Sequence, residues 1–129
     1  MRTAEHARRT RLIVVIDDDP AVLDGMSGLL ESWGYTVVVA PSEEVALARL
    51  AEHDRSPDGI VCDYHLSKGR TGPEAIARLR SAFEIPAVVI TGDATAAAAP
   101  ALRAGYRLLN KPVDPTTLRA TLKLMFPRD

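Results

Sequence analysis

The sequence predicts an α/β protein, a three-layer sandwich in which five β/α units build a parallel five-stranded sheet with helices on both faces. Three observations predict it. Short apolar runs alternate strictly with longer amphipathic patterns along the 129 residues. Apart from the last, the runs are rich in Val and Ile and do not alternate polar with apolar, as expected of strands buried on both faces of a parallel sheet. Strict alternation of strand and helix calls for right-handed crossovers, which cover the sheet on both sides.

The predicted strands cover residues 12–16, 36–40, 59–62, 87–91 and 107–109. The first helix is expected over 20–33. Asp19 suits its N-cap and Pro20 its first turn. Val22, Met26, Leu29, Leu30 and Trp33 make its apolar face, and Gly34 its left-handed stop. The second covers 42–53, capped by Ser42, with Val45, Ala46, Leu47 and Leu50 inward. The third covers 73–83, with Ile76, Leu79, Arg80 and Phe83 at helical spacing. The fourth, over 95–104, is alanine-rich and ends at Gly105. Pro100 falls inside it, removing a backbone donor and crowding the preceding turn, so a short or kinked helix is expected. The fifth starts at Pro115 behind the cap Asp114 and turns Leu118, Leu122 and Met125 or Phe126 inward.

Bulk properties bound the function. The length suits one domain with one core. The domain is expected over residues 11–129, and residues 1–10 read as a linker or disordered segment whose arginines are solvated. A formal net charge of -1 gives no general attraction to nucleic acid or acidic membranes. The single cysteine, Cys62, fits a reducing compartment and reads as a small core residue. Apolar runs fall far short of the roughly 20 residues that span a bilayer. Cytoplasmic location without membrane insertion is the expectation.

In an open parallel sheet, ligands bind at the carboxyl ends of the strands. Strand one delivers Asp17 and Asp18, strand three Asp63, strand four Thr91, and strand five Lys111. Two unit charges 4 Å apart interact by about 4 kcal/mol at an effective dielectric near 20. Three carboxylates therefore repel by more than one lysine offsets, whereas a divalent cation would balance them. All-oxygen ligation suits Mg²⁺. A hard cation beside a carboxylate, a lysine and a hydroxyl is equipment for phosphoryl transfer. Asp19 reads as the helix cap rather than a ligand.

The segments VIDDDP, CDYHL, ITGD and NKPVD, in this order and each at a strand end, resemble the receiver domains of two-component response regulators. The resemblance runs from about Arg11 to Phe126. It implies a flavodoxin-like fold of strand order 2-1-3-4-5. It also implies that Asp63 accepts a phosphoryl group from a phosphohistidine and that Asp18, Asp17, Asp63 and the His65 backbone carbonyl bind Mg²⁺. Thr91 and Lys111 would contact the phosphoryl oxygens, and the Lys111–Pro112 bond would be cis. The His65 side chain would sit at the rim and tune phosphate lifetime. The implied partner is a sensor histidine kinase or a histidine phosphotransfer protein. Direct nucleic-acid binding is not implied, and a homodimer is left open. DYHLSKGRTG, EAIARLR and AGYRLLNKPVDP look most like receivers joined to hybrid sensor histidine kinases; a stand-alone regulator is the alternative.

Two departures stand out. Leu66-Ser67 replaces the family's Met-Pro, and the loop to Gly72 is one residue longer. Leu108 occupies the position of the aromatic switch residue, with Tyr106 nearby but off-register. Both count against the usual threonine–aromatic switch, and Pro100 points to an altered output surface. Two other function classes remain. An interaction module that is never phosphorylated has only the irregular switch region in its favour. A Mg²⁺-dependent aspartyl phosphatase of the haloacid-dehalogenase type would need a second Asp two residues after the nucleophile, where this chain has His65.

Overall fold

The computed structural model describes residues 10–127. Most of the expected linker, residues 1–10, lies outside the described residues. The elements are β1 (Leu12–Ile16), α1 (Pro20–Ser32), β2 (Thr36–Ala40), α2 (Glu43–His53), β3 (Gly59–Asp63), α3 (Gly72–Arg80), β4 (Ala87–Thr91), α4 (Ala94–Ala104), β5 (Arg107–Asn110) and α5 (Pro115–Met125), with a 3₁₀ turn at Ser67–Gly69. The strands form one parallel sheet in the order β2-β1-β3-β4-β5. The order reverses between β1 and β3, so the crevice at their carboxyl ends is the topological switch point.

The pleat divides the core in two. Leu12, Val14 and Ile16 of β1, with Ile60 and Cys62 of β3, pack against Ala46 and Leu50 of α2, Ala75, Ile76 and Leu79 of α3, and Ala101 of α4. Ile13 and Val15, with Val61 and Val88, pack against Leu23, Met26 and Leu30 of α1 and Leu118, Leu122 and Met125 of α5. Fully burying such a side chain contributes about 1.5–3 kcal/mol, so these two layers hold the strand ends in place.

Local chemistry sets the helix ends. The Asp19 carboxylate accepts from Ala21 N–H, Ser42 from Val45 N–H, and Asp114 from Thr117 N–H. Thr71 and Glu74 form a reciprocal capping box that starts α3 at Gly72, one residue earlier than expected. Gly34 ends the α1 segment at φ 94°.

Several expectations need correction. Val22 is not on the inner face of α1. Leu23 takes its place beside the expected Met26 and Leu30, because positions 23, 26 and 30 follow the i, i+3, i+7 spacing of one face. Leu47 is exposed as well, while Glu43, at the start of α2, is buried and pairs with Arg78 of α3 at 2.6 Å. α3 ends at Arg80, short of Phe83. Arg80 joins no apolar stripe; its guanidinium donates to the Ile85, Ala104 and Gly105 carbonyls, locking the end of α4 to α3.

Pro100 does not shorten α4, which runs through Ala94–Ala104. Pro100 is exposed, and so is Ala96, the residue whose carbonyl loses a partner. Buried Ala97 and Ala101, the Asp93 cap and the left-handed stop at Gly105 (φ 75°) hold the helix across the proline.

Candidate functional site

The carboxyl ends of β1, β3, β4 and β5 deliver the expected groups to one mouth. Asp63 is the last residue of β3 and is 7% exposed. Its Oδ1 accepts from the Tyr64 N–H at 3.0 Å and from Lys111 Nζ at 2.7 Å. Lys111 follows β5 directly, and its N–H donates to the Thr91 carbonyl at 2.8 Å, which ties the lysine to the end of β4. The Lys111–Pro112 peptide is cis, as the family resemblance implied.

Asp17 and Asp18 follow β1. The Asp17 N–H still donates to Ala40 of β2, so Asp17 continues the strand and is buried. Its Oδ1 accepts from the Asp19 N–H at 2.9 Å. Asp18 lies outside the ladder and is exposed; its Oδ2 accepts from Ser67 Oγ at 3.1 Å. One side-chain oxygen from each of Asp17, Asp18 and Asp63 lies within 4.8 Å of the others. The mouth is a cavity of about 480 Å³ that these three carboxylates and Lys111 share with Asp19, Val22, Met26, Ile90, Pro112 and Val113.

The electrostatics follow from that crowding. Burial raises the Asp17 carboxyl above its ordinary range; the Asp19 N–H opposes this, and the charges of Asp63 and Asp18 add to the rise. The hydrogen bond to Asp63 chiefly raises the Lys111 ammonium, and the other two carboxylates add to it. Three carboxylates face one ammonium, all with oxygen donors, and the donor set therefore fits a hard divalent cation. A larger depression, about 540 Å³, lies at the opposite end of the sheet against Trp33, Tyr35, Arg119 and Phe126 and is lined by no carboxylate.

Thr91, the last residue of β4, is buried, and its Oγ1 accepts from the Asp93 N–H at 3.2 Å. The β3–β4 register pairs Asp63 with Ile90, so Thr91 stands one residue beyond the partner of Asp63. His65 is exposed. Its ring packs edge-on against Tyr64 at 4.9 Å, and its backbone bridges Thr71. Asp19 serves as the helix cap. Cys62 is buried, and burial first, then the neighbouring carboxylates, push its thiol far above the ordinary range, which makes it inert as a nucleophile.

Three contributors escaped the sequence reading. Ser67 touches Asp18 from 49 residues away. Asn110 accepts from the Ala94 N–H at 3.1 Å and so ties β5 to the start of α4. Gly72 presses on the backbone of Asp63. The glycine in KGRTGPE was the one available signal, since a glycine before a helix-starting proline can mark a close approach.

The family model described as the response regulator receiver domain matches residues 13–123. The chain belongs to that family. The receiver is 35% identical over 125 residues to an uncharacterized 14.6 kDa protein of Leptolyngbya boryana, covering 91% of this chain and 93% of that one. It is 34% identical to the transcriptional regulatory protein ZraR of Escherichia coli O157:H7 over 86% of this chain, yet spans only 25% of ZraR. A response regulator receiver domain protein from Clostridium thermocellum superposes with a TM-score of 0.80 at 26% identity, covering 92% of this receiver and 95% of that chain.

Two residues near the end of the sheet that the sequence singled out, Leu108 and Tyr106, share one core layer. Leu108 is half-buried and packs against the layer under α2 and α3. Tyr106 is 8% exposed in that same layer, with its N–H on the Ala101 carbonyl. It is a core residue, not a surface rotor. Among the described residues, no helix is long and apolar enough to cross a membrane.

Proposed function

We propose that this receiver takes a phosphoryl group from a phosphohistidine onto Asp63, with Mg²⁺ held by Asp17, Asp18, Asp63 and the His65 carbonyl. The observation that carries the reading is the Asp63–Lys111 contact at 2.7 Å beside two further carboxylates. A lone buried aspartate could be structural, but three at one mouth with one ammonium are organised for charge transfer.

The chain's own groups divide the work. An Asp63 carboxylate oxygen attacks phosphorus and forms the P–O bond. The P–N bond to the donor imidazole breaks, and its electron pair stays on that nitrogen. Lys111 meets the charge on one phosphoryl oxygen, and the Thr91 hydroxyl donates a hydrogen bond to another. When bound, Mg²⁺ offsets the carboxylate charge and stabilises the phosphoryl oxygens. The donor is a sensor histidine kinase or a histidine phosphotransfer protein. The motif wording supports a parent of the hybrid-kinase type, with a stand-alone regulator as the alternative.

The test is direct. Incubation with acetyl phosphate and Mg²⁺ should add the mass of one phosphoryl group, and Asp63→Asn should not gain it. Absence of the adduct in a protein that binds Mg²⁺ would sink the reading and favour an interaction module. Sustained turnover of varied phosphate esters would favour a phosphatase.

A further inference from the structure

We propose that Ser67 is a positioning residue for the metal site: its hydroxyl holds the Asp18 carboxylate in the orientation that a divalent cation requires. The inference rests on the reading of Asp17, Asp18 and Asp63 as Mg²⁺ ligands.

The three carboxylates are not held alike. Asp63 is buried and held by the Tyr64 N–H and Lys111. Asp17 is buried and held by the Asp19 N–H two residues on. Each is buried and accepts a backbone N–H from its own stretch of chain. Asp18 is exposed, and its hydrogen bond among the described residues comes from another loop, through Ser67 Oγ at 3.1 Å. A carboxylate only accepts, whereas a serine hydroxyl has a proton to give. The bond engages Oδ2 and orients the carboxylate while leaving it lone pairs with which to ligate.

That loop is built to deliver the hydroxyl. Leu66, the preceding residue, is buried in the core. The Leu66 N–H donates to the Arg70 carbonyl at 2.9 Å, and the Gly72 N–H to the Tyr64 carbonyl at 2.6 Å. Lys68 and Gly69 both take left-handed conformations, φ 63° and 72°, and turn the chain back. Arg70 clamps Glu44 of α2 through both carboxylate oxygens, at 2.8 and 2.6 Å. Ser67 thus sits on a closed, doubly anchored loop. A carboxylate already oriented loses less rotamer freedom on ligation.

Partners that orient metal ligands typically contribute 10–100-fold in affinity. For one exposed hydroxyl the loss should fall near the lower limit. The experiment is a Mg²⁺ titration of the full chain followed by amide chemical shifts, with wild type, Ser67→Ala and Ser67→Thr. Ser67→Ala should weaken Mg²⁺ binding about tenfold, and Ser67→Thr, which keeps the hydroxyl, should stay within about twofold of wild type. Melting in EDTA should be the same for all three, because Ser67 is exposed. Unchanged Mg²⁺ affinity in Ser67→Ala overturns the proposal. Equal losses in Ala and Thr also overturn it, since the loop's shape and not the hydroxyl would then matter. A wild-type protein that binds no Mg²⁺ removes the site reading and the inference together.

Discussion

Gly72 lies so close to Asp63 that a β-carbon on it would come within 2.2 Å of the Asp63 carbonyl oxygen. The start of α3 is thereby packed directly onto the end of β3. The Gly72 N–H reaches the Tyr64 carbonyl at 2.6 Å, so the acceptor's backbone is held from the helix side.

A methyl group at this position has no room. Overpacking of this kind costs about 1–3 kcal/mol. Gly72→Ala should lose stability in that range by urea denaturation and should slow phosphorylation by acetyl phosphate, because Asp63 must move. Full stability in the variant would show that α3 can shift freely away from the strand.

Tyr106 and Leu108 should part company in experiment. Truncating a buried aromatic costs about 3–5 kcal/mol, and Tyr106→Ala should approach that range in chemical denaturation. Leu108→Ala should leave the rate of phosphorylation nearly unchanged. A large loss of rate in Leu108→Ala would restore a switching role to that position.

The pH dependence of the metal-free domain follows from Asp17. Its carboxyl is raised from an ordinary 3.8, by burial above all. The folded state then holds this proton more tightly than the unfolded state. The contribution of Asp17 to stability is therefore fully present at low pH and is lost as pH rises from 3.8 through the folded value. Asp17→Asn removes this ionisation. Thermal melting in EDTA should show a flatter pH profile for the variant and a higher Tm than wild type at neutral pH. Identical profiles would mean that Asp17 is not strained in the folded state.

Pro100 is an exposed proline inside an unbroken helix. Proline in a helix interior is about 3 kcal/mol less favourable than alanine. Pro100→Ala should therefore stabilise the domain by about 1 kcal/mol or more, since α4 already accommodates part of the strain. The readout is the midpoint of urea unfolding. A destabilised variant would show that the ring packs usefully on a neighbour.

Much of this was legible in the sequence, because the groups at issue are punctuation at strand ends. Asp17, Asp18, Asp63, Thr91 and Lys111 each follow or end a short apolar run, and a parallel sheet brings such ends together by topology alone. What stayed hidden depends on contacts between distant segments. Ser67 meets Asp18, Glu43 is buried against Arg78, and Arg80 reaches the end of α4; no local pattern encodes these meetings. Pro100 did not shorten its helix, for a different reason. Its local penalty is real, but the Asp93 cap, Gly105 and the packing of Ala97 and Ala101 outweigh it.

Cys62 lies inside β3, one residue before Asp63, at 0% exposure and with its thiol held protonated. An alkylating reagent can reach it only when the middle of the sheet comes apart. The sole cysteine of the chain is thus a built-in clock for that opening, and anything that grips the neighbouring aspartate should make the clock run slower.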